Sequence, residues 1–402
     1  MWRNWSSHKR GESEFLAEAV GWVRTLTPAF AGLRTGKPAL PQGGRELNFL
    51  LGCPQSADTH AEGSAVEDHL KLMLQVLFAV VNGELHLADI EELRRLKGFE
   101  GELDEIEETM KEKVASLEAF ILCHDLGKPE TIRFEARDGS IGASLGFNES
   151  VSSVWNQDKK SRQKLIEKYN QEYKKFALSM EGVEPEEIQA AFSSSHQISI
   201  SYPGYAEAIA HPDLRSELSR VCEEKRLTPE DSDDVFHLIL LHEKVVRDFS
   251  LDLNISAYDH LIKYTIKHRR DADDFLDLLL AAIFLEVVAS PRRSAHGIYF
   301  DLLPVINFLV TEHETVPEKR EERLKQKKEK QLKIERQLFR EAKLDGNDLM
   351  VLFGLKPSRE FGQLLLAIQD FARGEAAAPS GVPLVVREEL FKRIERFRAL
   401  HH

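Results

Sequence analysis

The sequence is poor in cysteine and contains no long apolar run, and both features exclude classes of protein. Three of its 402 residues are cysteines (Cys53, Cys123 and Cys222), and no two of them form a CxxC pair. This argues against a disulfide framework and against a thiolate zinc site. No apolar run approaches the roughly 18 residues that span a bilayer, and the N-terminus lacks the apolar segment of a secretory signal. We therefore expect a cytoplasmic protein with no membrane partner.

Several common functional signatures are also missing. The sequence has no Walker loop, no dinucleotide-binding fingerprint and no nucleophile elbow. Its net charge of −13 argues against nonspecific coating of nucleic acid, although it does not exclude a local basic patch. Two stretches are locally basic, 159–175 and 319–343. For each, a solvated helix face with i,i+4 ion pairs is the simpler interpretation.

Helical periodicity dominates the pattern that is present. Apolar residues recur at spacings of three and four around Phe15 and again along 66–78, and 276–288 is almost wholly apolar, which predicts a central buried helix. Ser64, as part of a capping box, and Thr228 predict helix N-termini. Signals for strands are few, so we expect an all-α fold.

The residues with the clearest chemistry are His124 and Asp125. An adjacent imidazole and carboxylate can bind one hard or borderline metal ion. Lys128, three residues later, places an ammonium beside that ion, and the combination suits a phosphate. Asp125 and Lys128 are therefore the candidate catalytic residues, with Lys128 stabilising the phosphate charge that grows in the transition state.

Further ligands have to come from other helices. His69 lies on the helix predicted after Ser64, and Glu286 is an acidic residue in the apolar run 276–288. A buried, unpaired carboxylate costs several kcal/mol, so Glu286 needs a metal, Lys or Arg partner unless it lies at an exposed helix edge. His60 could support the ligands from behind. Nitrogen and oxygen ligands without thiolate fit Mn, Mg, Fe, Co or Ni.

Two more histidines are candidates for a second metal. His196 follows three serines and could equally be a surface residue, and His242 ends an apolar helical run. His237 lies on the same predicted helix as His242, about 140° away, so we do not expect both to face one metal.

Together these residues resemble the HD metal-dependent phosphohydrolase superfamily. The residues that carry this resemblance are His69, His124, Asp125, Gly127 and Lys128. The resemblance implies an all-α, HD-type helical bundle in which His69, His124, Asp125 and a last acidic ligand hold the first metal. That last ligand is usually Asp in the family, and the nearest match here is the longer Glu286.

A narrower resemblance is to bacterial tRNA nucleotidyltransferases, the CCA-adding enzymes. Residues 55–69 and 123–131 are similar to their HD region, and 344–366 is similar to their C-terminal tail, so the matched segments contain 47 of the 402 residues. The chain lacks their nucleotidyltransferase head, so CCA addition is not implied. The stretch 139–195 has no counterpart there, and it could be a substrate lid or could fill the site.

These observations predict three parts. Residues 1–50 form an N-terminal helical segment, and 51–315 form an HD-type metal-binding domain with a lid-like insertion at 137–195. Residues 316–402 form a charged connector helix and a helical C-terminal domain, in which Lys356 and Arg359 are candidate RNA-binding residues.

The function expected from the resemblance is a metal-dependent phosphohydrolase. It would act as a phosphatase or 2′,3′-cyclic phosphodiesterase on a nucleotide or RNA. The alternative is a catalytically weak or inactive HD scaffold that binds tRNA-like RNA or a protein partner. The sequence leaves the metal, the exact substrate and the oligomeric state open.

Overall fold

The computed structural model describes most of the chain from residue 44 to residue 401. Residues 58, 91–92, 94–98, 149–158, 181, 184, 269, 295–296, 316–331, 334, 374–375, 377 and 380–381 are not described. The helix predicted around Phe15 and most of the connector predicted at 319–343 therefore lie outside the described residues. The chain divides into two units between Glu312 and His313.

The first unit is built mainly of helices. In chain order these are α1 (Arg45–Leu51), α2 (Val66–Val81), α3 (Glu100–Glu112), α4 (Val114–Cys123), α5 (Lys128–Thr131), α6 (Ile141–Ser144), α7 (Lys159–Leu178), α8 (Pro185–His196), α9 (Pro212–Glu224), α10 (Pro229–Asp248), α11 (Ile255–Lys267), α12 (Ala272–Ala289) and α13 (Leu303–Thr315), which crosses the boundary between the units. Among the described residues the strands form two short antiparallel ribbons, β1 (Arg133–Ala136) with β2 (Ile198–Ser201), and β3 (Arg292–Ser294) with β4 (Gly297–Tyr299). The all-α prediction is confirmed.

Helix α12 is the centre of this unit, as the apolar run predicted. It packs against α2, α3 and α10, while α4 packs against α10, α2 and α9. Phe284 and Leu285 on α12 are fully buried. Because α2, α4, α10 and α12 all meet in this core, side chains from distant parts of the sequence are brought together there.

The two predicted helix starts have different outcomes. Thr228 caps α10, since its Oγ1 accepts a hydrogen bond of 3.1 Å from the backbone N–H of Asp231. The capping box at Ser64 is wrong, because α2 begins after Ala65 and has no side-chain cap. Ala65 instead forms a β-bridge with Pro54. The neighbouring backbone carbonyl of Cys53 accepts from the first helical N–H at 2.9 Å and so replaces a capping side chain.

An insertion leaves the bundle between β1 and β2. Arg133 pairs with Ser201 and Ala136 with Ile198, so the ribbon closes the base of a 137–197 excursion, close to the predicted 137–195. Four aromatic rings, with neighbouring centroids 5.2–5.9 Å apart, form its core: Phe134, Phe147, Tyr169 and Phe192. The insertion therefore has a packed interior of its own.

The predicted boundary at residue 50 falls inside α1. This helix belongs to the first unit, because the backbone N–H of Gly44 donates to Glu217 Oε1 on α9 at 2.9 Å. Helix α1 also contacts α2 and α5.

The second unit contains α14 (Gly346–Phe353), α15 (Arg359–Arg373) and α16 (Leu384–His401). Phe339 and Phe397 stack with ring centroids 4.2 Å apart in its core. Gly354 ends α14 with a positive φ of 65°, a conformation that glycine adopts without strain. No helix in the described part of the chain is both long and apolar enough to cross a membrane.

Candidate metal centre

Three donor atoms from three helices converge in the core of the first unit. His69 comes from α2, His124 directly follows α4, and Glu286 comes from α12. The two Nε2 atoms lie 3.3 Å apart, and Glu286 Oε2 lies 3.2 Å from each of them. Both histidines are fully buried, and the Glu286 side chain is 13% exposed. The exposed-edge alternative for Glu286 therefore does not apply.

The backbone fixes which ring nitrogens face one another. His69 Nδ1 lies 3.0 Å from the carbonyl oxygen of Ala289, and His124 Nδ1 lies 3.0 Å from that of Ile121. A carbonyl oxygen can only accept, so each Nδ1 carries the proton and each Nε2 presents a lone pair. Two imidazole lone pairs and a carboxylate oxygen thus point at the same small volume, an arrangement that requires a cation.

Without a metal, that cation is a proton on His69. Burial lowers the pKa of His69, but the negative charge of Glu286 opposes this and raises the pKa to about 10. Burial likewise disfavours the ionised form of Glu286, yet His69 and His124 hold the pKa of its carboxyl well below its usual range. The three groups are therefore matched to a positive charge between them.

The same donor set fits a divalent ion. Separations of 3.2–3.3 Å suit neighbouring ligands that bind one ion at about 2.0–2.2 Å. Two histidines and one carboxylate form a three-ligand face used for first-row metals such as Fe(II). Asp125, next to His124, is fully buried, and its Oδ1 has no hydrogen-bond partner, which leaves a further oxygen available.

A buried carboxylate supports His69 from behind. Glu62 Oε1 lies 3.4 Å from His69 Nδ1 and 2.9 Å from His60 Nδ1, and it accepts from Gln55 Nε2 at 3.2 Å. Carboxylates that bind the far nitrogen of a ligand histidine fix its tautomer and its orientation. The expectation that His60 stands behind the ligands agrees with this geometry.

Lys128 lies beside Asp125, as the spacing of three residues suggested. Its Nζ is 2.6 Å from Asp125 Oδ2 and lies over the rings of Tyr202 and Tyr205, 5.2 and 5.4 Å from their centroids. Burial disfavours the ammonium, but Asp125 outweighs this and raises the pKa of Lys128. The buried lysine therefore keeps its charge.

Tyr205 also contacts His242, one of the two histidines predicted as ligands of a second metal. His242 Nδ1 donates to the carbonyl oxygen of Ile239 at 2.7 Å, and its Nε2 accepts from Tyr205 Oη at 3.0 Å. Its ring lies 5.4 Å from that of His124. Burial, reinforced by His124, lowers the pKa of His242 to about 4, so the ring is neutral. His242 lines the site, but a phenol occupies its lone pair.

His196, the second candidate, lies in the insertion. Its ring packs on Phe192 with centroids 4.1 Å apart, and its Nδ1 contacts Ser195 Oγ at 2.9 Å and the carbonyl oxygen of Phe192 at 3.1 Å. It is not among the histidines that gather with carboxylates in the described residues. The structure therefore places it in the aromatic core of the insertion.

The two candidate RNA-binding residues belong to the second unit. Lys356 is exposed in the turn after α14, and Arg359 is exposed at the first position of α15. The hydroxyl of Ser358 accepts from the N–H of Phe361 at 3.1 Å and caps this helix.

Sequence reasoning missed three residues of the site: Glu62, Tyr202 and Tyr205. Glu62 follows His60 by two residues and could have been suspected from that spacing. The tyrosines reach the site only because the ribbon β1–β2 returns the chain to α5. Gly127 permits this return, since a Cβ there would overlap the carbonyl oxygen of Tyr205.

Comparison of the chain with protein-family models, with curated proteins and with solved structures finds no match in any of the three. The resemblance to the HD superfamily therefore stays a prediction from the sequence residues named above.

Proposed function

We propose that this chain is a metal-dependent phosphohydrolase of the HD type that acts on a phosphate ester of a nucleotide or an RNA. One observation carries the proposal: His69 Nε2, His124 Nε2 and Glu286 Oε2 lie within 3.3 Å of one another. The Nδ1 atoms of both histidines donate to backbone carbonyl oxygens, so the two Nε2 lone pairs are free to bind an ion. A buried site with three convergent lone pairs requires a cation, and the nitrogen and oxygen donors suit Mn, Mg, Fe, Co or Ni.

The neighbouring side chains suit phosphate chemistry. A bound divalent ion would supply Lewis acidity towards a P–O bond and lower the pKa of water. Asp125 Oδ1 has no hydrogen-bond partner and can complete the ligand set of such an ion. Lys128, held by Asp125 and the two tyrosines, can donate to the phosphate oxygen on which charge grows.

An RNA or nucleotide substrate follows from the resemblance of the HD region and the tail to tRNA nucleotidyltransferases. Under this proposal Lys356 and Arg359 contribute side-chain charge, and the capped N-terminus of α15 contributes backbone N–H groups to a phosphate. These contacts to phosphate would position the RNA but would not select its base sequence.

The test is metal content together with turnover. Purified protein should contain a first-row divalent metal by mass spectrometry. After chelation and reloading with Mn, Ni, Co or Mg, it should hydrolyse p-nitrophenyl phosphate, bis-p-nitrophenyl phosphate or 2′,3′-cyclic AMP. Asp125→Ala should lower kcat/KM by about 1,000-fold or more, because it removes a candidate metal ligand and the partner of Lys128.

His237→Ala is the matched control, because it removes a histidine of the same unit that lies outside the cluster. If the protein binds no metal and hydrolyses none of these substrates, the phosphohydrolase proposal is wrong. RNA binding without turnover would favour the scaffold alternative.

A further inference from the structure

Helix α7 of the insertion is strongly basic in an acidic chain. Its 20 residues contain seven lysines and arginines and two glutamates, a net charge of +5, whereas the whole chain carries −13. The basic residues of α7 are Lys159, Lys160, Arg162, Lys164, Lys168, Lys174 and Lys175. A charge of this size on one helix marks a distinct surface.

The exposed lysines of α7 lie on one face. Lys160, Lys164 and Lys168 follow at intervals of four residues, about 6 Å apart along the axis, and Lys174 and Lys175 continue the same arc within about 120°. All five are exposed. We call these five residues the lysine stripe.

The sequence of 159–175 favoured a solvated helix face with i,i+4 ion pairs, but most lysines of the stripe are not paired in that way. The neighbours of Lys164 at i−4 and i+4 are Lys160 and Lys168, and such like-charge pairs destabilise a helix. Lys175 pairs with Glu172 at 2.7 Å, and Lys168 donates to the carbonyl oxygen of Leu145. Lys160, Lys164 and Lys174 have no ion-pair partner in the described part of the chain. The free charge is therefore available to an external anion.

The opposite face of α7 is already occupied. Ile166 and Tyr169 are buried, and Phe176 contacts Phe192 with ring centroids 5.5 Å apart. An amphipathic helix that inserts into a lipid surface needs an apolar face to bury there. Because that face is committed to the core of the insertion, a membrane surface is a poorer partner than a polyanion that contacts lysines alone.

The N-terminal end of α7 packs against α5, the short helix that follows Asp125. Lys159 Nζ is 3.1 Å from Glu130 Oε1 on α5 and 2.6 Å from Glu46 Oε2 on α1. Helix α5 begins at Lys128, which pairs with Asp125. The helix that carries the lysine stripe is therefore anchored, through Lys159, on the short helix that begins with the candidate catalytic residue Lys128.

We propose that the lysine stripe binds the backbone phosphates of an RNA strand whose reacting end lies at the metal cluster. This inference deepens the proposed function and depends on it for the position of that end. A row of cations contacts phosphates without reading bases, so binding is independent of base sequence and weakens steeply with salt.

The experiment compares a triple variant with a matched control. Lys160→Gln, Lys164→Gln and Lys174→Gln together remove three free charges. In fluorescence anisotropy with a labelled 20-nucleotide single-stranded RNA, this variant should bind at least about tenfold more weakly than wild type at low salt. The slope of log K against log salt should fall by about 2, because each lost phosphate contact removes about 0.7. The control changes Lys244, Lys263 and Lys267, exposed lysines of α10 and α11, to Gln and should bind like wild type.

The outcomes separate this inference from the proposed function. Equal RNA binding by the triple variant and the control overturns the inference, as does binding of the wild type to anionic vesicles of phosphatidylserine but not to RNA. Hydrolysis of p-nitrophenyl phosphate should be the same in the triple variant and in wild type. If wild type shows no hydrolysis at all but stripe-dependent RNA binding, the phosphohydrolase proposal fails while the lysine stripe stands as an RNA-binding surface.

Discussion

Two histidine clusters lie on different faces of α10, and only one of them has the character of a metal site. His242 faces the buried cluster with His124, while His237 faces Tyr264 and His268, whose ring lies 4.5 Å from its own. The five-residue spacing predicted this separation. Both clusters bring histidine rings and a carboxylate together, so proximity alone does not distinguish them.

The difference lies in which lone pairs are already used. At the buried cluster, carbonyl oxygens hold the Nδ1 atoms, and the Nε2 lone pairs converge on Glu286. We call His237, His268 and Asp233 the surface cluster. There His237 Nδ1 contacts the hydroxyl of Tyr264. The nearest carboxylate, Asp233, is 52% exposed and also pairs with Arg270. Because Asp233 is exposed and pairs with Arg270, its negative charge already has a positive partner. A histidine cluster is a candidate for a metal where buried lone pairs have no fixed positive side chain as a partner.

The largest expected effect comes from removing the buried carboxylate. Glu286→Gln keeps the side-chain volume but removes the negative charge that faces His69 and His124. Metal affinity should fall by more than about 100-fold, since changes to residues behind the ligands already cost 10–100-fold. Isothermal titration with Mn or Co on chelated protein measures this. Unchanged affinity would remove Glu286 from the ligand set.

A smaller effect is expected from the carboxylate behind His69. Glu62→Gln weakens the contacts to His69 Nδ1 and His60 Nδ1, so metal affinity should fall by about 10–100-fold. The same titration, run beside Glu286→Gln, ranks the two carboxylates. A loss as large as that of Glu286→Gln would make Glu62 a direct ligand.

The enclosure of the buried cluster can be tested through Gly127. Gly127→Ala places a Cβ against the carbonyl oxygen of Tyr205 and the side chain of Ala208, and it should lower the free energy of unfolding by about 1–3 kcal/mol. Gly101→Ala on α3 meets no atom within 4 Å and should be neutral or slightly stabilising. Urea denaturation compares the two. Equal stability would show that the segment around Tyr205 does not close tightly over α5.

The smallest effect is expected at the surface cluster. His237→Ala should leave metal affinity and turnover within about twofold of wild type, since distant, independent sites do not couple. Metal titration and phosphatase assays check this. A large loss of metal there would contradict the distinction between the two clusters.

Much of the fold was predictable because local pattern and burial agree. The apolar run at 276–288 is the buried helix α12, and Thr228 caps α10. The predicted capping box at Ser64 was wrong because a β-bridge between Pro54 and Ala65 takes the place of a side-chain cap. Such a bridge joins residues that are not neighbours along the helix, so the pattern of residues around Ser64 does not reveal it. The position of His196 could not be predicted either, because the three serines before it give no sign that its ring packs on Phe192.

The sequence by itself determined the all-α class, the candidate donors His69, His124, Asp125 and Glu286, and the basic character of α7. These depend on residue identity and on spacing along single helices. The tertiary structure decided which of the donors meet, that Tyr205 occupies the lone pair of His242, and that the basic helix α7 packs against α5. Such contacts join residues tens to hundreds of positions apart, and only the packing of α2, α4, α10 and α12 and the return of the chain through β1–β2 bring them together.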